Sequence, residues 1–285
     1  MSTEKILITG ARTGFGKIFA SELVRKGHDV IATTETSSQV SALESEIAEE
    51  GLTMQIEKLD VTDPNDREKA WDWDIDVLVN NAAIKEGGSL VDIPEDNLQN
   101  QFDVNLFGPI LLTQGFARQM VERNQGRIVF VSSISGMMVN PFSGPYSASK
   151  YAAEAVVNTL AMELQEFNVE VTTINPGPHL TGFNDREMEA WKSWEDDPSK
   201  RIYDYEEIAF PFEQFDPQEV VDVRVKVILR ETNQYRNVVP EDMIEQVKKE
   251  QQNPWDQTIV ENIGKRHDMV QKAYDLEPRT KAEDY

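Results

Sequence analysis

Short apolar runs rich in β-branched residues alternate with helix-patterned stretches through the first two thirds of the chain. Strands are predicted at 5–9, 29–33, 54–59, 76–79, 127–132 and 170–175, with helices near 15–26, 38–50, 95–122 and 147–167. The strand runs are apolar without alternation, which suits strands buried on both faces. The sheet is therefore predicted to be parallel with helices on both sides, an α/β, Rossmann-like, doubly wound fold. Such sheets bind ligands beyond the carboxyl ends of their strands, so the informative residues should follow strand ends.

No repeat or low-complexity linker divides the chain, and one domain is expected over residues 1–240. Residues 178–216 break the pattern: they are acidic, irregular and aromatic, with Trp191, Trp194, Tyr203, Tyr205, Phe210, Phe212 and Phe215. This segment reads as an inserted lid or helical arm. A last strand at 236–239 precedes a polar helical extension, 241–285, whose packing is left open.

The first strand runs directly into TGARTGFG, residues 9–16. Gly10 permits a tight turn, while Gly14 and Gly16 let backbone approach a diphosphate at a helix N-terminus. The spacing is not the common Gly-x-Gly-x-x-Gly, and glycine-rich strand-to-helix turns also arise from packing alone. The third strand ends in Asp60 and Val61, where a carboxylate could accept from an adenine amino group. The fourth ends in Asn80-Asn81-Ala82-Ala83. Further on, Tyr146 and Lys150 stand four apart at a predicted helix start, on one face. A neighbouring ammonium favours the phenolate, whose unperturbed pKa is about 10. Lys150 could instead pair with Glu154 on an exposed face.

Together these motifs resemble the short-chain dehydrogenase/reductase family, over roughly residues 5–181. The matching residues are the glycine turn, Asp60, NNAA, Asn105, Ser133, Tyr146, Lys150 and the NPGPHLT stretch at 175–181. Most of the family has glycine where this chain has Ala83, and the stretch from Asp60 to Asn80 implies a trimmed helix. The resemblance implies hydride transfer between a nicotinamide and an alcohol or carbonyl carbon. Tyr146 would exchange the proton with the substrate oxygen. Lys150 would lower the tyrosine pKa and bind the nicotinamide ribose, Ser133 would hold the substrate oxygen, and Asn105 a relay water. Gly10, Arg12, Thr13, Gly14, Phe15 and Gly16 would form the phosphate turn, and Asp60, Val61, Asn81, Ala82 and Ala83 the adenosine and central walls. Pro176, Gly177 and Thr181 would contact the nicotinamide amide and diphosphate. His179, a loop histidine, stays outside the catalytic set.

Cofactor choice should be read at Thr34 and Glu35, where the second strand ends. A carboxylate there repels a 2′-phosphate, whereas Arg12 could reach one. The lean is to NAD over NADP. Met137, Met138, Val139 and Phe142, with the aromatic lid, suggest an apolar or aromatic alcohol or ketone, although a lid core explains the same residues. Ala148, Ala152 and Ala155 share a helix face that could meet another helix. In similar proteins this helix and the one carrying Asn105 form a dimer interface, so a homodimer or homotetramer is expected; packing on the chain's own sheet fits the alanines equally.

Composition adds exclusions. A net charge of −23 argues against nucleic acid and anionic membrane as partners. With no cysteine, thiolate chemistry is excluded, and three scattered histidines do not resemble a metal site. No apolar run reaches membrane length and the N-terminus enters a strand at once, so a cytoplasmic location is expected. Two rival readings stay open: a non-catalytic dinucleotide-binding or sensing protein, and a nicotinamide-independent, dehalogenase-type lyase. The intact Asn105, Ser133, Tyr146 and Lys150 set speaks against the first. Lys150 and the glycine turn speak against the second.

Overall fold

The computed structural model describes residues 3–209, 214–256, 258 and 263–276. Seven parallel strands form one sheet in the order β3-β2-β1-β4-β5-β6-β7. In chain order they are β1 (Lys5–Ile8), β2 (Asp29–Thr34), β3 (Gln55–Lys58), β4 (Val77–Asn80), β5 (Gly126–Val131), β6 (Val169–Pro176) and β7 (Arg236–Val239). The connecting helices are α1 (Gly14–Arg25), α2 (Ser37–Glu49), α3 (Pro64–Ala70), α4 (Glu95–Phe102), α5 (Gly108–Glu122), α6 (Gly144–Leu164), α7 (Phe183–Glu189) and α8 (Pro217–Ile228). Two more, α9 (Met243–Asp256) and α10 (Asp268–Asp275), follow the last strand. This is the Rossmann-like arrangement expected from the patterning.

Both faces of the sheet are covered, and alternate residues of one strand feed different cores. Ile6 and Ile8 join Phe19 and Leu23 of α1 and Val221, Val225 and Ile228 of α8. Leu7 and Leu78 turn the other way, onto Leu112 and Phe116 of α5 and Val157 of α6. That is why the strands read as continuous apolar runs.

Three local features matter for the cleft. The helix expected over 95–122 is interrupted by a π-helical turn, Asp103–Phe107, that carries Asn105. The short α3, N-capped by Asp63 and started by Pro64, is the trimmed helix after the third strand. Its Arg67 donates to the Val61 carbonyl at 2.7 Å, fixing the loop beyond β3. The extension does not hang free. Val247 of α9 packs with Ile134, Met137, Met138 and Val238, and Val270 and Ala273 of α10 enter the core of the lid.

Candidate active site

Strand order reverses between β1 and β4, and the cleft opens at their carboxyl ends, as this topology dictates. Its volume is about 1000 Å³. It runs from Arg12, Thr34 and Glu35, past Asp60 and Asn81, to Ser133, Tyr146 and Lys150. Of the catalytic and cofactor-binding residues expected from the sequence, all line it except Gly16 and Asn105.

At the phosphate end, α1 starts at Gly14 with an N-cap, Thr13, whose side chain caps nothing, and with no acidic residue in the first turn. The first-turn N–H groups and the positive helix end therefore face the cleft, a ready anion site. Gly14 sits at φ +58°, and a side chain there would meet only Thr181, at 3.8 Å. Gly16 has a different task from the one expected. A Cβ there would lie 2.5 Å from the Gly10 carbonyl and 2.6 Å from Asn81 Nδ2, so it packs the helix onto the turn. Asn81 clamps that turn, donating to the Thr9 and Gly10 carbonyls at 2.9 and 3.0 Å.

At the adenosine end, Asp60 is aimed by Thr62, which donates to its Oδ1 from N and Oγ1 at 2.9 and 2.7 Å. Glu35 is exposed beyond β2, its backbone N–H held by Gln39. Arg12 is engaged: Glu46 of α2 accepts from both guanidinium tips, at 3.1 and 2.8 Å. Arg12 and Lys17 hold the Glu46 carboxyl down at about 2.

At the chemical end, Tyr146 is buried in the first turn of α6 and lines the cleft with Ser133, whose Oγ accepts from the Ser135 N–H at 3.0 Å. Burial pushes the phenol well above its ordinary value; Ser133 opposes this and the Glu187 carboxylate adds to it. The expected lowering by Lys150 does not dominate: its Nζ is 5.6 Å from the ring centroid and donates to the Val131 carbonyl at 3.0 Å. Burial lowers Lys150 to about 8 against the opposing pull of Glu154. Glu154 is buried and accepts from Asn175 at 2.6 Å and Arg236 at 2.8 Å, so the surface-pair reading of Lys150 and Glu154 fails. Asn105 is a clamp, with Nδ2 donating to the Ile84 carbonyl and Ser149 Oγ, and Oδ1 accepting from the Ile84 N–H.

The substrate end departs from an apolar pocket. Trp191, Trp194, Tyr203 and Tyr205 pack with Phe142 and Ile93 as the lid's own core. Phe210 and Phe212 lie outside the described residues. Met137 is buried away from the cleft and Val139 is exposed to solvent; of the four residues before Tyr146, Met138 alone lines the cavity. Beside Met138 and Phe183 stand polar residues that sequence patterning did not flag: Lys85, Ser143, Asn184 and Arg186. Lys85 Nζ is 2.6 Å from Glu187 of α7, 2.9 Å from Asn184 Oδ1 and 5.1 Å from the Tyr146 ring centroid. Ser143 donates to the other Glu187 oxygen at 2.5 Å. His179, left outside the catalytic set, is 2% exposed and lines the cleft; burial lowers its pKa to about 4.

A glycine-lined helix start, a strand-end acid and a buried Ser-Tyr-Lys cluster thus share one cleft. A family model described as short chain dehydrogenase matches residues 4–192. The chain belongs to the short-chain dehydrogenase family. Among its relatives, 3-ketodihydrosphingosine reductase from Bacteroides thetaiotaomicron is 34% identical over 189 residues, covering 65% of this chain and 67% of that protein. Retinol dehydrogenase 8 from Bos taurus is 33% identical over 241 residues, covering 78% and 77%. A short-chain dehydrogenase from Streptomyces avermitilis superposes with a TM-score of 0.71 at 27% identity, over 87% of this chain and 92% of that one. One from Sphingobium yanoikuyae, in complex with NADPH, shares the fold at a TM-score of 0.68 and 21% identity, over 90% and 97%. This short-chain dehydrogenase is an oxidoreductase by family, and its cleft fits a nicotinamide dinucleotide. Among the described residues no helix is long and apolar enough to cross a membrane, and no cluster of potential metal ligands occurs.

Proposed function

We propose that this short-chain dehydrogenase interconverts a secondary alcohol and a ketone, using NAD in preference to NADP. The observation that carries the proposal is that buried Ser133, Tyr146 and Lys150 line the end of a cleft that begins at the first turn of α1. When bound, the nicotinamide would supply or take the hydride. The protein's own work is the proton and the orientation. Ser133 Oγ holds the substrate oxygen and Tyr146 Oη gives it a proton in the reducing direction. A phenol kept neutral by burial is in the form that donates. Lys150, anchored on Val131, supplies the cation that the tyrosinate needs once its proton has left. Asn105, locked to Ile84 and Ser149, holds β4's continuation against α6 and so fixes the wall on which the ring rests.

NAD is favoured by charge at the ribose end. Glu35 stands in the open beyond β2, and the one arginine of the glycine turn is already neutralised by Glu46. A 2′-phosphate would meet carboxylates there. The mixed lining near Tyr146 suits a substrate with an apolar stretch and at least one further polar group, in place of a wholly apolar one. The names of the two relatives, a keto-lipid reductase and a retinol dehydrogenase, support alcohol–carbonyl exchange as the reaction. Ala148 and Ala155 are exposed beside Tyr151 and Met162, so they do not serve packing on the chain's own sheet. This α6 face is the one we propose for the homodimer contact.

The test is Tyr146→Phe. Oxidation or reduction of a panel of hydroxy and keto compounds should fall below about one thousandth of wild type, by loss of acid–base assistance and positioning together. NADH binding, followed by energy transfer from tryptophan, should stay within a few-fold. Substantial turnover in this variant removes Tyr146 from the proton step.

A further inference from the structure

Arg224, on α8, is the largest fully buried side chain among the described residues, at 0% exposure. None of its three guanidinium nitrogens has a hydrogen-bond partner among the described residues. Its contacts are aromatic: the guanidinium carbon lies 3.7 Å from the ring centroid of Phe15 and 4.7 Å from that of Phe19, both on α1. An arginine does not shed its proton in a protein, so the charge is buried as well. No carboxylate of the described residues lies within hydrogen-bond reach of it.

The energetics are unfavourable as they stand. A buried charge without a counter-charge costs several kcal/mol. A desolvated cation–π contact returns about 2 kcal/mol and offers no lone pair to five N–H groups. A residue held against stability in this way is commonly there for a ligand.

Its location says which ligand. Phe15, the ring stacked on Arg224, is the second residue of α1, in the turn whose free N–H groups face the cleft. On the cleft side Phe15 meets His179 edge-on at 5.6 Å. His179 donates from Nδ1 to the Gly177 carbonyl at 2.9 Å, while its buried Nε2 has no partner among the described residues. Two polar groups without partners, one of them a permanent cation, thus flank the aromatic ring in the first turn of the helix.

We propose that Arg224 is the cationic half of the dinucleotide's diphosphate site, acting from behind Phe15 on the anion held at the start of α1. The α1 amides supply hydrogen bonds and Arg224 supplies the full positive charge, undiluted by water. The inference rests on the dinucleotide reading and adds to it a residue from a remote helix. It makes Arg224 a positioning and electrostatic residue, since it touches neither the substrate nor the reacting atoms.

The experiment uses the full chain and three probes: adenosine, ADP-ribose and inorganic pyrophosphate. Arg224→Met and Arg224→Lys are compared with wild type for melting temperature without ligand and for binding by calorimetry. Arg224→Met should melt at or above the wild-type temperature. It should bind ADP-ribose about tenfold or more weakly and lose competition by pyrophosphate, while its affinity for adenosine is unchanged. Arg224→Lys should retain most of the ADP-ribose affinity. Equal binding of ADP-ribose by wild type and Arg224→Met overturns the proposal, as does an equal loss for adenosine, which would mean general distortion. If the Met variant does not fold, Arg224→Gln carries the same comparison. Wild-type protein that binds neither adenosine nor ADP-ribose overturns the dinucleotide reading itself, a different failure from the one specific to Arg224.

Discussion

Glu187→Gln isolates a single buried charge. Glu187 on α7 is 0% exposed, and its partner Lys85, on the segment after β4, is 7% exposed at the side chain. The pair is 2.6 Å apart, and Ser143 donates to the second carboxylate oxygen. Glutamine keeps the volume and can still accept from Ser143, but it takes the Glu187 charge away from the Lys85 ammonium 2.6 Å from it. Breaking one side of a buried pair costs about 3–5 kcal/mol. We therefore expect a loss of roughly 4 kcal/mol and a melting temperature lower by on the order of 10 °C for a chain of this size. The assay is thermal unfolding of Glu187→Gln, Lys85→Met and the double variant Lys85→Met/Glu187→Met. The double variant should lie within about 1 kcal/mol of wild type, because two apolar side chains of similar volume replace the pair without an orphaned charge. A single variant that melts within a degree or two of wild type would refute the reasoning. So would a double variant that loses the sum of the singles.

Gly16→Ala places a methyl 2.5 Å from the Gly10 carbonyl, a backbone atom that cannot step aside; we expect about 1–3 kcal/mol of destabilisation in urea unfolding, and no change would show that the turn relaxes. Glu35→Arg should shift the ratio of NADPH to NADH affinity towards NADPH, and Glu46→Gln should shift it the same way by releasing Arg12 from its bidentate partner; unchanged ratios would mean that neither carboxylate reads the ribose. Lys150 is held near 8, below its ordinary 10.5, because burial disfavours its charge. The unfolded chain therefore binds the extra proton between those values, and the penalty is full below pH 8 and fades as pH rises to 10.5. Lys150→Met should accordingly melt higher than wild type at pH 7, with a gain that vanishes by about pH 10, while being inactive. A difference independent of pH would contradict burial as the cause.

Much of the fold was legible along the chain. Each of the seven strands lies within a residue or two of its predicted position, since a strand buried on both faces leaves an uninterrupted apolar run. The helix over 95–122 was legible as one element, yet its π-helical turn was not: apolar periodicity does not record a change of hydrogen-bond register. Helix α8 was missed because its stretch VVDVRVKVI alternates valine with charge, the period of a strand. The Asp216 cap and Pro217 start make it a helix, and Arg224 went unnoticed with it. The aromatic lid could have lined a pocket or formed a core, and composition treats the two alike.

The sequence by itself determined what depends on neighbours in the chain. Glycines after β1, an acid after β3 and a tyrosine one helical turn before a lysine are set by strand ends and by the i, i+4 spacing. Only the tertiary structure decided which distant side chains meet. Glu46 on Arg12, Glu187 on Lys85 and Phe15 on Arg224 are pairings made by sheet order and by the way two helices and a lid settle on its edges. It also decided burial, and with it the chemistry: the same phenol, ammonium and imidazole would keep ordinary pKa values in a loop. Here they are shifted because the assembled fold removes the water that would have carried their charge.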